Sequence, residues 1–265
     1  FTGSSGVGNH LRTHARVIEQ GIPVNVEADS VNSAVLGPDV TAGDDVFDML
    51  VRDAVREVIQ KTGQKCTATR RIFVPVEVAD DFTDALASDL SRISIGDPFT
   101  DGVRMGPVVN ARQRDDIMGG IDRFSSVASR VRGTGRPEQL AGVSGETGYF
   151  VDTHVLRTAD PEASLAADLV HNEEVFGPVT TILPYDGSVA QAGELVARGR
   201  GSLVASVYSD DRAFARDLVL ELAPWSGRVT LGSAKVAESA PSPGAVLPQL
   251  VHGGPGRAGG GEELG

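Results

Sequence analysis

The sequence predicts an α/β fold in which a mostly parallel sheet is flanked by helices. Short apolar runs typical of strands alternate with stretches of helical periodicity along the chain. Such alternation builds parallel sheets because each helix crosses back over the sheet. The clearest helix is predicted over residues 44–61, where apolar side chains recur at helical spacing on one stripe. Asp44 and Asp45 stand at its start, where carboxylates suit the helix dipole, and Gly63 ends it.

The remaining elements are bounded by glycine, proline or polar residues, which punctuate strands and helices. Taken in order, strands are predicted over 1–4, 22–28, 34–36, 72–75, 127–133, 150–155, 179–183, 202–208 and 228–231. Further helices are predicted over 9–20, 78–93, 110–124, 189–198 and 211–222. From residue 232 the composition shifts, and 252–261 is dense in glycine. That stretch is either a flexible linker or a loop where backbones approach closely, and composition leans slightly to the linker.

Composition and charge exclude several classes of protein. The chain has 265 residues, of which 40% are hydrophobic, enough for one large or two modest domains with a core. Its net charge of −12 argues against non-specific nucleic-acid binding. No apolar run approaches the roughly 18 residues that cross a membrane, and no signal peptide is visible. Because a single cysteine also fits a reducing compartment, we expect a cytoplasmic protein with neither nucleic acid nor membrane as partner.

Cys66 is the only cysteine, so it cannot form an internal disulfide or a cysteine-rich metal site. It is either a small buried hydrophobe or a nucleophile. Its place in a polar loop between the long helix and a strand favours the nucleophile. Lys65, Arg70 and Arg71 would either lower the pKa of its thiol or lie solvated.

The five histidines are scattered, without the spacing typical of zinc ligands, so no metal site is predicted. A catalytic Cys–His pair like that of a cysteine protease is possible in principle, although the sequence does not single out any histidine as the partner.

Two acidic positions and one glycine–serine turn are further candidates. Glu27 ends a predicted strand and could act as a general base, but the residues alone favour a surface glutamate. Glu174 stands in an acidic turn before Phe-Gly-Pro, where a carboxylate could bind ribose hydroxyls or simply form a charged loop. Gly3 and Ser4 precede a predicted helix and could bind a pyrophosphate, although glycine there also serves turn geometry alone.

Four separated motifs together resemble the aldehyde dehydrogenase superfamily, in the family's order. They are Phe1-Thr2-Gly3-Ser4, the strand-end Glu27, Gly63-Gln64-Lys65-Cys66-Thr67 and Glu173-Glu174-Val175-Phe176-Gly177-Pro178. The resemblance implies that Cys66 is the nucleophile and Glu27 the general base. It implies that Gly3 and Ser4 lie by the cofactor pyrophosphate, that Glu174 holds the nicotinamide ribose and that Phe176 packs beside the cofactor. It also implies that residues 1–31 end a dinucleotide-binding domain and that 32–265 form the catalytic domain.

Within the superfamily the chain resembles a subgroup that oxidises CoA-linked semialdehydes formed when aromatic rings are opened. The run from Lys61 to Arg71 and the tail from Pro248 to Gly265 carry this resemblance, while Ala28-Asp29-Ser30 replaces the common Leu-Gly-Gly. The subgroup implies NADP as cofactor, with NAD as the alternative, and a homo-oligomeric parent. We expect the chain to be a fragment of that parent. A catalytically silent folding module and a CoA-acylating dehydrogenase remain alternatives, and Glu27 argues against the second.

Overall fold

A computed structural model describes residues 1–264 of the chain. Its centre is a seven-stranded sheet in the order β3-β4-β5-β2-β1-β6-β7, in which only the β3–β4 pair is antiparallel. The strands are β1 (Ser33–Leu36), β2 (Arg71–Pro75), β3 (Ser129–Arg132), β4 (His154–Arg157), β5 (Val179–Tyr185), β6 (Ser202–Tyr208) and β7 (Ser226–Gly232). A separate antiparallel pair joins β8 (Val251–Gly253) to β9 (Glu262–Leu264). The predicted α/β fold is confirmed.

Helices flank the sheet on both faces. They are α1 (Ser5–Thr13), α2 (Ala15–Glu19), α3 (Asp45–Ile59), α4 (Ala79–Ser91), α5 (Ala111–Phe124), α6 (Pro161–Ala166), α7 (Asp168–Asn172), α8 (Val189–Ala197) and α9 (Arg212–Leu222). The long helix predicted over 44–61 is confirmed as α3. Among the described residues, no helix combines the length and apolar character that crossing a bilayer requires.

The sheet separates two apolar cores because successive strand side chains point to opposite faces. In β2, Ile72 and Val74 pack in the core that contains α3 and α4, whereas Phe73 packs in the core that contains α5, α8 and α9. β2 is therefore apolar on both faces, and the inner strands β5 and β6 are buried along their whole length, as expected of a buried parallel sheet. The sheet thus provides a rigid base for the loops at its edge.

The N-terminal elements differ most from prediction. The strand predicted over 22–28 is absent, and only an isolated parallel bridge pairs Thr2 with Glu27. Pro23 has no backbone N–H to donate, and residues 21–23 are exposed to solvent. The helix predicted over 9–20 begins earlier, at Ser5, and breaks at His14, whose extended backbone separates α1 from α2. The strand predicted over 150–155 starts later, as β4.

The glycine-dense tail is a packed loop, so the linker interpretation is wrong. A side chain at Gly254 would place its Cβ 2.2 Å from the carbonyl oxygen of Ser202. Gly259 has φ of 105°, and its Cβ would lie 2.3 Å from the carbonyl oxygen of Val26. Glycine is required at both positions because a neighbouring backbone occupies the space of a side chain. This packing fixes the path of β8, which carries His252.

Candidate active site

A cavity of about 600 Å³ lies where the N-terminal segment meets the loop that carries Cys66. All six residues singled out from the sequence line it: Gly3, Ser4, Glu27, Cys66, Glu174 and Phe176. They come from four separated parts of the chain, and the fold brings them together. The cysteine is half-buried at the wall of the cavity.

The backbone between α3 and β2 forms a tight turn that presents Cys66. Lys61 and Thr62 both adopt left-handed conformations, with φ of 52° and 56°, and Gly63 follows with φ of 67°. A Cβ at Gly63 would lie 2.1 Å from the carbonyl oxygen of Gly177, so only glycine allows the two loops to touch. The sequence prediction of a loop at this point is therefore confirmed.

Asn32 fixes the backbone of the cysteine loop from beneath. Its Nδ2 donates to the carbonyl oxygens of Cys66 (2.8 Å) and Ala68 (3.0 Å). Its Oδ1 accepts from the backbone N–H of Val204 at 2.9 Å, and the side chain is buried. The side-chain amide of Asn32 thus links the cysteine loop to β6. A polar residue directly before a buried strand is the sequence feature that could have indicated this role.

The basic residues around the cysteine are buried, so the solvated alternative is wrong. Lys65 is 7% exposed, and its Nζ donates to Glu57 at 3.0 Å. Arg71 donates through Nε and Nη2 to the carbonyl oxygen of Val31, and burial lowers its pKa to about 9. Both cations are engaged by other partners, so their first role is to hold the loop in place.

Arg70 joins the cysteine loop to the acidic turn. It donates to the carbonyl oxygens of Gly63 (2.7 Å) and Gly177 (2.8 Å). Its guanidinium lies over the ring of Phe176, 5.5 Å from the centroid, and its Nε lies 3.7 Å from Oε1 of Glu174. Because one buried cation contacts both loops, their relative position is fixed.

The two carboxylate oxygens of Glu174 differ: one accepts a hydrogen bond, and the other only faces Nε of Arg70 at 3.7 Å. Oε2 accepts from the backbone N–H of Ser30 at 3.2 Å, whereas Oε1 has no hydrogen-bond partner among the described residues. Burial raises the pKa of this carboxyl group to about 7, against the opposing charge of Arg70. An unpartnered buried acceptor on a cavity wall is suited to a hydroxyl group of a ligand.

Glu27 lies on an extended segment that pairs with the N-terminus. Its backbone N–H donates to the carbonyl oxygen of Phe1 at 2.9 Å, and Gly3 donates back to its carbonyl oxygen at 3.1 Å. The side chain is 7% exposed, so the surface-glutamate interpretation is wrong. Ser4 caps α1 by accepting from Val7 at 3.4 Å, which places a helix N-terminus at the cavity.

His252, which the sequence analysis did not select, lies between the two central side chains. Its Nε2 is 2.6 Å from Oε1 of Glu27 and 3.6 Å from Sγ of Cys66. The hydrogen bonds to Cys66 and Glu27 raise the pKa of His252 to about 10, and the bond to His252 lowers the pKa of Glu27. The only sequence feature that could have drawn attention to His252 was its position as a polar ring inside the glycine-dense tail.

The absence of a metal site stays a prediction. The sulfur, nitrogen and oxygen atoms of Cys66, His252 and Glu27 lie within 4.8 Å of one another. However, the 2.6 Å between His252 and Glu27 is a hydrogen-bond distance. Two ligands of one tetrahedral zinc ion stand about 3.3 Å apart. The arrangement is therefore that of a hydrogen-bonded cluster.

Solved structures with the same architecture include betaine aldehyde dehydrogenase from Staphylococcus aureus in complex with NAD⁺. It matches the whole chain with a TM-score of 0.82 at 26% identity, and the chain covers 47% of that enzyme. Among sequence relatives, a 3,4-dehydroadipyl-CoA semialdehyde dehydrogenase from Aromatoleum evansii is 40% identical over 255 residues. Those residues are 96% of this chain and 49% of the relative.

Protein MaoC from Klebsiella aerogenes is 38% identical over 162 residues, which are 61% of this chain and 45% of that protein. The chain thus spans about half the length of the curated relatives it matches. The model of the aldehyde dehydrogenase family matches residues 1–248, and the fold and motif order agree with that match. On this evidence the chain belongs to the aldehyde dehydrogenase family.

Proposed function

We propose that this chain forms the catalytic part of an NAD(P)-dependent dehydrogenase that oxidises a semialdehyde to the corresponding acid. The observation that carries the proposal is the meeting of Cys66 and Glu27 at one cavity with Glu174 and Phe176. A nucleophilic sulfur, a carboxylate base and a free hydroxyl-binding oxygen are the groups that such a reaction needs. Family membership gives the same reaction class.

The reaction divides between the two central side chains. The Cys66 thiolate attacks the aldehyde carbon, and the carbonyl oxygen becomes the alkoxide of a thiohemiacetal. A nicotinamide held beside Glu174 and Phe176 would supply the oxidant, as acceptor of hydride from that carbon, and Cys66 would then carry a thioester. Glu27 then takes a proton from water, the water oxygen attacks the thioester carbon, and the thiolate leaves as the acid forms.

The residues present fit a dinucleotide. The unpartnered Oε1 of Glu174 would accept a hydrogen bond from a ribose hydroxyl, and the ring of Phe176 would support the nicotinamide side. Gly3 and Ser4, at the N-terminus of α1, would lie by the pyrophosphate. In the same proposal residues 1–31 end the dinucleotide-binding domain and residues 32–265 form the catalytic domain. Gly265 lies outside the described residues.

The finer assignment is NADP as cofactor and a CoA-linked semialdehyde from aromatic-ring degradation as substrate. Its support is the relative from Aromatoleum evansii, named for a CoA semialdehyde and 40% identical over almost the whole chain. A homo-oligomeric cytoplasmic enzyme belongs to the same proposal.

The experiment uses the full gene product that contains this chain. It is supplied with a CoA-linked semialdehyde and with NADP or NAD, and reduced cofactor and acid are quantified. We expect one acid per reduced cofactor, with higher kcat/KM for NADP, and loss of both products in Cys66→Ala. Oxidation that survives Cys66→Ala would overturn the proposal.

Two alternatives predict different products. A CoA-acylating enzyme would need added CoA and would form a second thioester in place of the free acid. A catalytically silent module would bind no NADP, which equilibrium dialysis of the isolated chain detects directly. Buried Glu27 beside the cysteine favours the hydrolytic outcome over both.

A further inference from the structure

We propose that His252 is a third functional group of this site, placed so that its Nε2–H serves the Cys66 sulfur and the Glu27 carboxylate and lets both be negative together. The inference rests on the proposed function, in which the sulfur attacks and the carboxylate activates water. The inference adds a histidine that keeps the Cys66 sulfur and the Glu27 carboxylate deprotonated at the same time.

The need for such a group follows from distance and burial. The reactive atoms of Cys66, Glu27 and His252 all lie within 4.8 Å of one another, and Glu27 and His252 are each 7% exposed. Two anions this close, one of them on a mostly buried side chain, disfavour each other, so that one would take up a proton. A cation hydrogen-bonded to one and in contact with the other removes that conflict.

The geometry uses a single ring nitrogen. Nε2 contacts both Glu27 (2.6 Å) and Cys66 (3.6 Å), whereas Nδ1 is buried without a partner among the described residues. In a hydrolase triad the carboxylate and the nucleophile contact opposite nitrogens, so the histidine can accept a proton on one side while held on the other. Here both anions compete for one position, which argues against the Cys–His protease alternative.

The proton balance is simple. The neutral ring has two tautomers: protonated at Nε2 it donates to Glu27, and protonated at Nδ1 the lone pair of Nε2 faces the Glu27 carboxylate at 2.6 Å, which is repulsive. Only the second tautomer can take the Cys66 proton at Nε2. Transfer of the Cys66 proton to Nε2 breaks the S–H bond, forms an N–H bond and replaces that repulsion by a hydrogen bond. The product is a thiolate, an imidazolium and a carboxylate, and the net charge of the three groups stays at minus one.

Other charged groups near the site do not replace His252. Arg70 and Arg228 interact electrostatically with Cys66, but Arg70 donates to the carbonyl oxygens of Gly63 and Gly177. Arg228 donates to the carbonyl oxygens of Pro243 and Ala245. The amino group of Phe1 weakly favours the Glu27 carboxylate but donates to the carbonyl oxygen of Asn25 at 2.8 Å. Within the described chain, His252 alone contacts both functional side chains.

The test is the pH dependence of Cys66 alkylation by iodoacetamide, followed by intact mass on the full gene product. We expect Cys66 in the wild type to be alkylated faster at pH 7 than the free thiol of a cysteine peptide, because a thiol paired with a cation reacts as the thiolate. In His252→Gln the alkylation profile should shift to higher pH, which makes alkylation at pH 7 about tenfold slower than in the wild type. The acid limb of kcat/KM should move by the same amount. His10→Gln, on exposed α1, is the matched control and should leave both profiles in place.

An unchanged alkylation profile in folded His252→Gln overturns the inference. Should that variant unfold, the wild-type profile decides alone, because alkylation of Cys66 that follows the pH profile of a free cysteine peptide overturns the inference as well. Failure of the proposed function gives a different result, namely no reduced cofactor with any semialdehyde. The alkylation profile needs no turnover and still decides the role of His252.

Discussion

The cysteine and its partner glutamate are held in opposite ways. The Cys66 loop is tied to the core by buried side chains: Asn32 and Arg70 bond its carbonyl groups, and Lys65 pairs with Glu57. The Glu27 segment is held by backbone bonds to the N-terminus and to the glycine-dense tail. Glu27 and its neighbour Val26 are themselves buried, but Ile18 and Ile22 in the segment before them are 66% and 44% exposed.

The site therefore has two halves. The cysteine half, the Cys66 loop, is held rigidly by the core, whereas the base half, the Glu27 segment, is held by distant parts of the chain. Glu27 and His252 are 225 residues apart, yet they share a 2.6 Å hydrogen bond. Segments with few buried apolar contacts open at lower free energy than core elements. We therefore expect the base, and not the nucleophile, to be the first group lost when the protein is perturbed.

Replacing Glu27 by glutamine separates the two halves most clearly. We expect steady-state acid production to fall by about 10²–10⁴-fold, because the general base of the proposed reaction is lost. The chemistry of the cysteine half should persist, so a rapid-mixing experiment should show a burst of reduced cofactor near one equivalent per site. A slow reaction without any burst would mean that Glu27 also acts before the thioester forms.

Asn32→Leu should destabilise the Cys66 loop by removing the side chain that bonds it to the core. The carbonyl oxygens of Cys66 and Ala68 lose their donor and the N–H of Val204 loses its acceptor. Buried groups left without partners cost about 1–3 kcal/mol each, so for three such groups we expect a loss of roughly 3 kcal/mol or more in the free energy of unfolding.

Urea denaturation of Asn32→Leu measures that loss, and Asn9→Leu on the exposed face of α1 is the control, expected within about 0.5 kcal/mol of wild type. Equal midpoints for the two variants would show that the anchor contributes little.

Gly259→Ala should perturb the half that carries the base. The new Cβ would meet the carbonyl oxygen of Val26 at 2.3 Å, one residue before Glu27, and φ of 105° disfavours any side chain. Gly145→Ala is matched, since Gly145 has φ of 63° and open space around it. We expect Gly259→Ala to lose about 1–2 kcal/mol more than the control in denaturation, since overpacking adds to backbone strain.

The larger consequence of Gly259→Ala should be a fall in kcat with the cysteine still alkylated at the normal rate. A fall in the alkylation rate of the same size would show that the glycine-dense tail supports the Cys66 loop as well as Glu27.

Most features set by local sequence were predicted correctly, whereas features set by distant contacts were not. The stripe of α3 and the alternation of strands and helices made most of the sheet predictable, because period and burial are local properties. The motif order brought six cavity residues to notice. His252 was missed because its position depends on a contact with Glu27, 225 residues away. The strand over 22–28 was wrong because Pro23 has no N–H to donate and residues 21–23 are exposed. No local pattern records that Gly259 packs on Val26.

The smallest expected effect is the pH dependence of stability that the His252–Glu27 pair confers. The pKa of His252 is raised from 6.5 to about 10, so its contribution is full below pH 6.5 and is lost as pH rises through 10. The pKa of Glu27 is lowered from 4.5, so its contribution is present above that value and is lost as pH falls through the folded pKa. The pair therefore stabilises most between about pH 4.5 and 6.5.

Denaturation midpoints at pH 6 and pH 10 test this window when wild type is compared with His252→Gln. We expect the wild-type advantage at pH 6 to shrink at pH 10, with the variant nearly flat between the two. If the advantage keeps its size at pH 10, the imidazolium does not hold the two distant segments together. The packing of the glycine-dense tail must then position Glu27 without a charge, and the base half would be as rigid as the cysteine half.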